Sequence, residues 1–544
     1  MRNLGFIAVF LGFFLCAGSA SATTYYVDYA SGADTNNGTA KSTPWKRAPG
    51  MVGCANTCSS TTIVAGDHIV LKGGVVWPNA VMTWAFGKSG SAGNYIVIGG
   101  TDQTWYDATA CSAKGYPGWC RPVLDAGGLT AGTNNWMVSA PQYTDWESIE
   151  FARFANNAAD GAYGHNGMFY IGGTPNVTMN DLYFHNWIHA AGQDGGWAIM
   201  ADSHYPSGNA GSILSNSVFD NSDSADAGYM NCGPGNNQQC STGSGIWGSI
   251  PDVHNSVFRW LSNGIIGQTE LYYNNLVEYF YFSPDTGTHS NGFETNGSTS
   301  LIYNNLFRHY PNYSGFPLAT NPCCDSSRPN GITYVFNNVF YDMSNSNNIF
   351  VTSHSGTQST TTNYQKVFNN TLECGPDSGS PGNTCGNCDN YYAGCDWQNN
   401  HWITSLATPI VQNGAPSNCL WNQSGCGNIV QTKAQANAQG YNSGQTYGFS
   451  PTSSGNATVN AGANLTSACS ATFTYTNGTV NLAPLCSDTG YACTYSSVTH
   501  TVSCPARKTN TRPAAPTLWD VGAYYISSMA SAPAAPIGLT ALVQ

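Results

Sequence analysis

The chain has 544 residues, of which only 8% are charged, with 17 Lys and Arg against 29 Asp and Glu for a formal net charge of −12 at pH 7. This acidic balance argues against nucleic acid as a partner, and it repels polyanionic polysaccharides at long range unless a bound cation or a local basic patch intervenes. Gly, Asn, Ser, Thr and Tyr abound and aromatic residues make up 12% of the chain, which fits a packed, turn-rich β protein and argues against both a helical domain and a disordered one.

Residues 1–22 read as a signal peptide: Arg2 precedes the apolar run LGFIAVFLGFFLCAG, and Ala20-Ser21-Ala22 supplies the small residues of a cleavage site. The run is too short to span a membrane and lacks a stop-transfer flank. Cleavage after Ala22 removes Arg2 and Cys16, leaving a charge of 16 − 29 = −13 and 19 − 1 = 18 cysteines. An even number of cysteines in an oxidising compartment predicts disulfides, with local pairing expected for Cys54/Cys58, Cys111/Cys120, Cys232/Cys240, Cys385/Cys388 and Cys419/Cys426. Cys385 and Cys388 also have zinc-ligand spacing, but no second pair of matching spacing accompanies them, so no metal ligand is assigned.

Residues 23–64 are expected to form an N-terminal strand and cap. Within them, Asp34 to Thr39 (DTNNGT) place several oxygen ligands around a glycine, which makes calcium the cofactor to consider; without the distant bidentate Glu of a calcium loop, a turn is the preferred reading.

From 65 to 404 a short segment recurs in which apolar positions two apart are closed by Asn, then by Asn, Ser or Asp and two more mostly apolar residues. It reads VTMNDLYF at Asn180, SILSNSVF at Asn216, DVHNSVF at Asn255, LYYNNLV at Asn274, LIYNNLF at Asn304, YVFNNVF at Asn337, KVFNNTL at Asn369 and DWQNNHW at Asn399. Successive marks lie 36, 39, 19, 30, 33, 32 and 30 residues apart. Alternation that meets Asn at a fixed point predicts a strand that turns there, and stacked coils would line the amides into a ladder. The fold class is therefore an all-β, right-handed parallel β-helix, a solenoid whose coils cover one another's edges. The spacing varies because extra residues enter mainly after the ladder strand, at about 221–244, 279–290, 311–330 and 374–398, building a wall on one side. Residues 405–526 follow as a polar region and a small cap containing Cys469, Cys486, Cys493 and Cys504, and 527–544 read as a Pro/Ala-rich tail.

The segments at 25–46 (YYVDYASGADTNNGTAKSTPWK) and 65–74 (AGDHIVLKGG) resemble the opening of bacterial secreted right-handed β-helix repeat proteins of the pectate-lyase-like superfamily. Those at 458–469 (TVNAGANLTSAC) and 512–526 (RPAAPTLWDVGAYYI) resemble their closing segments. The resemblance spans nearly all of 24–526 and implies the fold, not a reaction, since such scaffolds carry lyases, glycoside hydrolases, epimerases and non-catalytic surface proteins.

Chemistry is sought first in PDTGTHSNGFETNG, where Asn291-Gly292 starts a strand that turns Phe293 inward and Glu294 outward. His289 and Glu294 are the candidate acid and base, with Asp202 and His204 on a neighbouring coil as further catalytic candidates. Asp202 and Glu294 suit glycoside hydrolysis only if the short 255-to-274 coil brings them within about 5 to 10 Å. His165, Asn166, Asp285, Asn291, Trp247 and His354 are the candidate substrate-binding residues, His165 sharing an edge with His289 if the registers match. Trp197, Tyr272 and Trp260 suit sugar stacking or an interior aromatic ladder. The GHG, NTD and RIK signatures of the polygalacturonase group and the Arg-x-Pro-x-x-Arg run of the pectate lyase group are absent. Arg259, Arg308, Arg328 and Lys366 are the basic residues of the regular coils, with Arg308 expected on a different side from Glu294. Two functions fit: an extracellular enzyme cleaving or modifying a polysaccharide by acid–base chemistry, or a non-catalytic surface or matrix protein that binds a cell-surface glycan.

Overall fold

A strand with apolar residues two apart needs a cover on its inner side and partners on both edges, and this chain supplies both by coiling. The computed structural model describes residues 22–526 except 131–135, 157–166, 190–195, 202–205, 223–242, 281–290, 296–298, 311–315, 321–330, 344–349, 352–363, 375–384, 389–393, 407, 409, 413–418, 420 and 446–447. Three long parallel sheets of 12, 12 and 11 strands run its length as a right-handed parallel β-helix. Each coil adds one strand to each sheet in turn. Leu271–Tyr273 joins sheet 1, Leu276–Glu278 sheet 2 and Phe293–Thr295 sheet 3, and the next coil returns to sheet 1 at Leu301–Tyr303. Thr24–Val27 pairs with His68–Leu71 and opens sheet 1 at its N-terminal edge.

The corner between sheets 1 and 2 carries the asparagine repeat. Asn216, Asn255, Asn274, Asn304, Asn337, Asn369 and Asn399 all adopt left-handed backbone with φ of 51–56°, which Asn tolerates better than other side chains. In the first repeat that place belongs to Asp181 (φ 54°), because Asn180 lies within its strand opposite Ser215, so the mark at Asn180 falls one residue early. The amide ladder is made by the residue after each mark. Asn275, Asn305, Asn338, Asn370 and Asn400 are fully buried, and each gives its backbone N–H and its Nδ2 to the Oδ1 of the next asparagine at 2.9–3.1 Å, ending on Asn428. The second Nδ2 proton goes to a strand carbonyl, as from Asn338 to Ile302 at 3.0 Å. Inside, rings stack in register, with Phe151, Phe184, Phe219 and Phe258 at centroid spacings of 4.7–4.9 Å.

The C-terminal region runs back along the solenoid, over sheets 1 and 2. Phe473 and Leu485 pack with Leu301, Phe336 and Phe368 of sheet 1. On sheet 2, Tyr495 donates to Asp220, His500 stacks on Tyr183 at 4.4 Å, and Thr499 accepts from Tyr116 at 3.1 Å. Among the described residues its hydrogen bonds and ring contacts with the coils fall on these two sheets and their corners, so sheet 3 is left without this cover. The long connections also gather there. The range 311–330 holds the sheet 3 strand Leu318–Thr320, and 374–398 holds Gly386–Cys388. Along the sequence, the inserted residues thus fall both before and after these sheet 3 strands.

Cys54–Cys58, Cys111–Cys120, Cys419–Cys426, Cys469–Cys486 and Cys493–Cys504 are disulfides. Cys385 bonds Cys374, which corrects the expected Cys385/Cys388 pairing: the two lie in one short strand, Gly386–Cys388 and its approach, while Cys374 follows the sheet 2 strand Thr371–Glu373 of the same coil. Cys232 and Cys240 lie outside the described residues. No helix of the described residues is long and apolar enough to cross a membrane.

Candidate functional site

Alternation along sheet 3 divides its residues into two columns. Phe169, Ile199, Ile246, Ile265, Phe293 and Leu318 are in register with one another and belong to the core. One residue on, Ser139, Tyr170, Met200, Trp247, Ile266, Glu294 and Ala319 form the outward column. Trp247 and Glu294, picked out from the sequence, thus share one face with Ile266 between them, two strand spacings or roughly 10 Å apart. Aromatic rings extend the face toward the N-terminus. Trp197 lies 5.0 Å from Trp247, and Trp136 stacks on Tyr170 at 5.0 Å. Beyond Glu294 the column narrows to Ala319.

Glu294 is held in place from its own strand. Its Oε2 accepts from Asn291 Nδ2 at 2.5 Å, and the residue is 4% exposed. Asn291 is itself pinned by the coils on either side, donating its backbone N–H to Asn263 Oδ1 at 3.2 Å and accepting at Oδ1 from the Phe316 N–H at 3.0 Å. Gly292 follows because there is no room for more: a Cβ would stand 2.0 Å from Tyr310 Oη and 2.6 Å from Pro317 O. The Asn-Gly that marked this strand therefore positions the carboxylate. Asn291 itself is 1% exposed, its amide engaged by Glu294 and by the Phe316 N–H.

His289, Asp285, Asp202, His204, His165, Asn166 and His354 lie outside the described residues. The strands they adjoin are placed. Gly167–Tyr170 and Phe293–Thr295 are in register through three intervening strands, so the matched register expected for His165 and His289 holds for the strands that follow them, at roughly 19 Å separation. Trp197–Ala201, which leads to Asp202, stands three spacings, roughly 14 Å, from the strand of Glu294. The short coil does not reduce this distance, because it supplies its own sheet 3 strand, Ile265–Gly267.

The other sequence candidates fall elsewhere. Tyr272 is fully buried and stacks on Phe293 at 4.3 Å, an interior ladder. Trp260 stacks on Tyr279 at 4.7 Å, and Tyr279 on His309 at 4.9 Å, along the corner between sheets 2 and 3. Arg308 does face away from Glu294: on sheet 2 it pairs with Glu278 at 2.6 Å, while Arg259 pairs with Asp220 and Glu278 at 3.0 Å each. The oxygen-rich Asp34 segment is a turn whose carboxylate binds Arg47 at 2.8 Å. Sequence reasoning missed Tyr170, Met200 and Trp136 on the candidate face. Their strands, WMVS, GMFY and WAIMA, lack the asparagine mark, and only the pairing of each with the next sets their register.

Neither a protein-family model nor a curated protein matches the chain. Among solved structures, it is similar to the pectate lyase Pel9A, with 13% identity over 82% of this chain and 94% of that one and a TM-score of 0.40. It is also similar to the GH136 lacto-N-biosidase from Eubacterium ramulus (10% identity, 75% and 68% covered, TM-score 0.37). A third is PfbA, a surface adhesin of Streptococcus pneumoniae (11% identity, 68% and 87% covered, TM-score 0.35).

Proposed function

We propose that this is a secreted glycan-active protein that lays a polysaccharide along the outer face of sheet 3 and cleaves or modifies it by acid–base chemistry at Glu294. The observation that carries this reading is the outward column itself, in which Tyr170, Met200, Trp247 and Ile266 lead, one per coil, to a single carboxylate. The coil spacing of ~4.8 Å is close to the length of one sugar in a chain, so successive rings meet successive side chains. Aromatic faces bind sugars by apolar and CH contacts, and a carboxyl group held by one hydrogen bond is suited to proton transfer. The leader-like N-terminus and the disulfides support passage into an oxidising compartment.

The test is a polysaccharide panel read for ultraviolet-absorbing unsaturated products and for new reducing ends. Glu294→Gln is expected to lower turnover by about 10²-fold or more, as for loss of a general acid or base, with the thermal transition unchanged. Turnover equal to the parent removes Glu294 from the chemistry. A non-catalytic, glycan-binding role is the second reading, favoured by Glu294 being the sole carboxylate in the outward column among the described residues; it predicts binding without product across the panel.

A further inference from the structure

We infer that the glycan bound on sheet 3 is uncharged, not a polyuronate, an inference that rests on the reading of this face as the binding site. The argument is one of charge placement. The eleven strands of sheet 3 contain no Lys or Arg, and Glu294 is their only ionisable acid. Among the described basic residues, exposed Lys88 follows the first sheet 3 strand, Trp84–Ala85, six strands from that of Glu294, and four others lie off this face. Arg259 and Arg308 sit in the sheet 2 ion-pair row, Arg153 pairs with Asp125 at the start of the corner that follows, and Lys366 lies over the Tyr334 ring on sheet 1 at 5.6 Å.

A uronate polymer brings one carboxylate per sugar, and each would lose hydration against aromatic rings with no cation in the described sheet 3 strands to replace it and Glu294 alongside. Neutral sugars avoid this cost and gain from the half-buried rings of Tyr170 and Trp247. The reaction class follows. Elimination needs a proton made acidic by a neighbouring uronate carboxylate, so on a neutral chain the cleavage is hydrolysis: water adds across the glycosidic bond, its hydroxyl to the anomeric carbon and its proton to the leaving oxygen.

Affinity electrophoresis and calorimetry of the full chain, with Glu294→Gln present to arrest turnover, test this against soluble neutral glucan, xylan, mannan and galactan and against polygalacturonate and alginate, each with and without added calcium. Binding to a neutral polymer that weakens about tenfold in Trp247→Ala, and less in Trp247→Phe, supports the inference. Polygalacturonate or alginate binding that depends on Trp247, calcium present or not, overturns it while the face stands as the site. Binding unaffected by both Trp247 variants, or no binding to any polymer, overturns the site reading and the inference together. Thermal transitions of the variants matching the parent assign these losses to the face rather than to the fold.

Discussion

At the scale of single residues, the molecule depends on amides that have no exposure to water. Asn338 accepts from the N–H and Nδ2 of Asn305 and donates to Asn370 Oδ1 and Ile302 O. Removing its side chain strands two donors and a carbonyl in a site where each unsatisfied group costs about 1 to 3 kcal/mol. Asn338→Ala is therefore expected to lose roughly 3 kcal/mol of stability, read as a lower denaturant midpoint. The neighbouring Asn337 works differently: its φ of 56° sets the turn, and its Nδ2 reaches out to the carbonyls of Pro484 and Ser487 at 2.9 and 3.0 Å. Adjacent residues of the same type thus hold the coil from inside and the C-terminal region from outside.

At the scale of elements, the outer face of sheet 2 is a row of alternating charge, Asp220, Arg259, Glu278 and Arg308, closed by Tyr341. The hairpin Thr494–Ser496 and Thr501–Ser503, tied at its base by Cys493–Cys504, lies on this row. Tyr495 donates to Asp220 and places its ring 4.8 Å from the Arg259 guanidinium. A hydrogen bond to a charged group that is otherwise out of water contributes about 1.5 to 3 kcal/mol. Tyr495→Phe is expected to lose about that much, and hydrogen exchange should locate the loosening in 494–503 with the coils still protected. Among the described residues sheet 3 has neither charge row nor hairpin.

At the scale of the whole molecule, three buried titrating groups set the acid response. Burial disfavours the Glu150 carboxylate, but the hydrogen bond from His185 and the charge of Lys114 outweigh it and hold the group at about 2. Its contribution to stability is present above the ordinary value near 4.5 and is lost as pH falls toward 2. Burial pulls His401 down to about 4 despite its bond to Gln431, so this histidine also favours the folded state above 6.5 and penalises it as pH falls from 6.5 to 4. Asp145 acts in the opposite sense: burial and the neighbouring Glu147 raise it to about 7, so its contribution grows as pH falls from 7 to 4. The thermal midpoint is expected to vary little between pH 6.5 and 4.5 and to drop below that. Asp145→Asn should expose the His401 slope, giving a midpoint that falls steadily from pH 6.5 downward.

The solenoid was legible in the sequence because its corner is a local demand repeated in every coil: left-handed backbone at one residue, a buried amide at the next. That demand leaves Asn-Asn at Asn274, Asn304, Asn337, Asn369 and Asn399 whatever the rest of the coil contains. The outward turn of Glu294 was readable for the same reason, since two-residue alternation from Asn291-Gly292 is local. The register between coils was not. The connections vary in length, and only strand pairing shows that Trp247 and Glu294 share a column, that the strand Trp197–Ala201 lies three spacings from that of Glu294, and that Tyr170 belongs to the same face. Which sheet stays open was likewise decided by tertiary structure, because the C-terminal region reaches coils some 300 residues earlier through contacts between side chains that no sequence spacing relates.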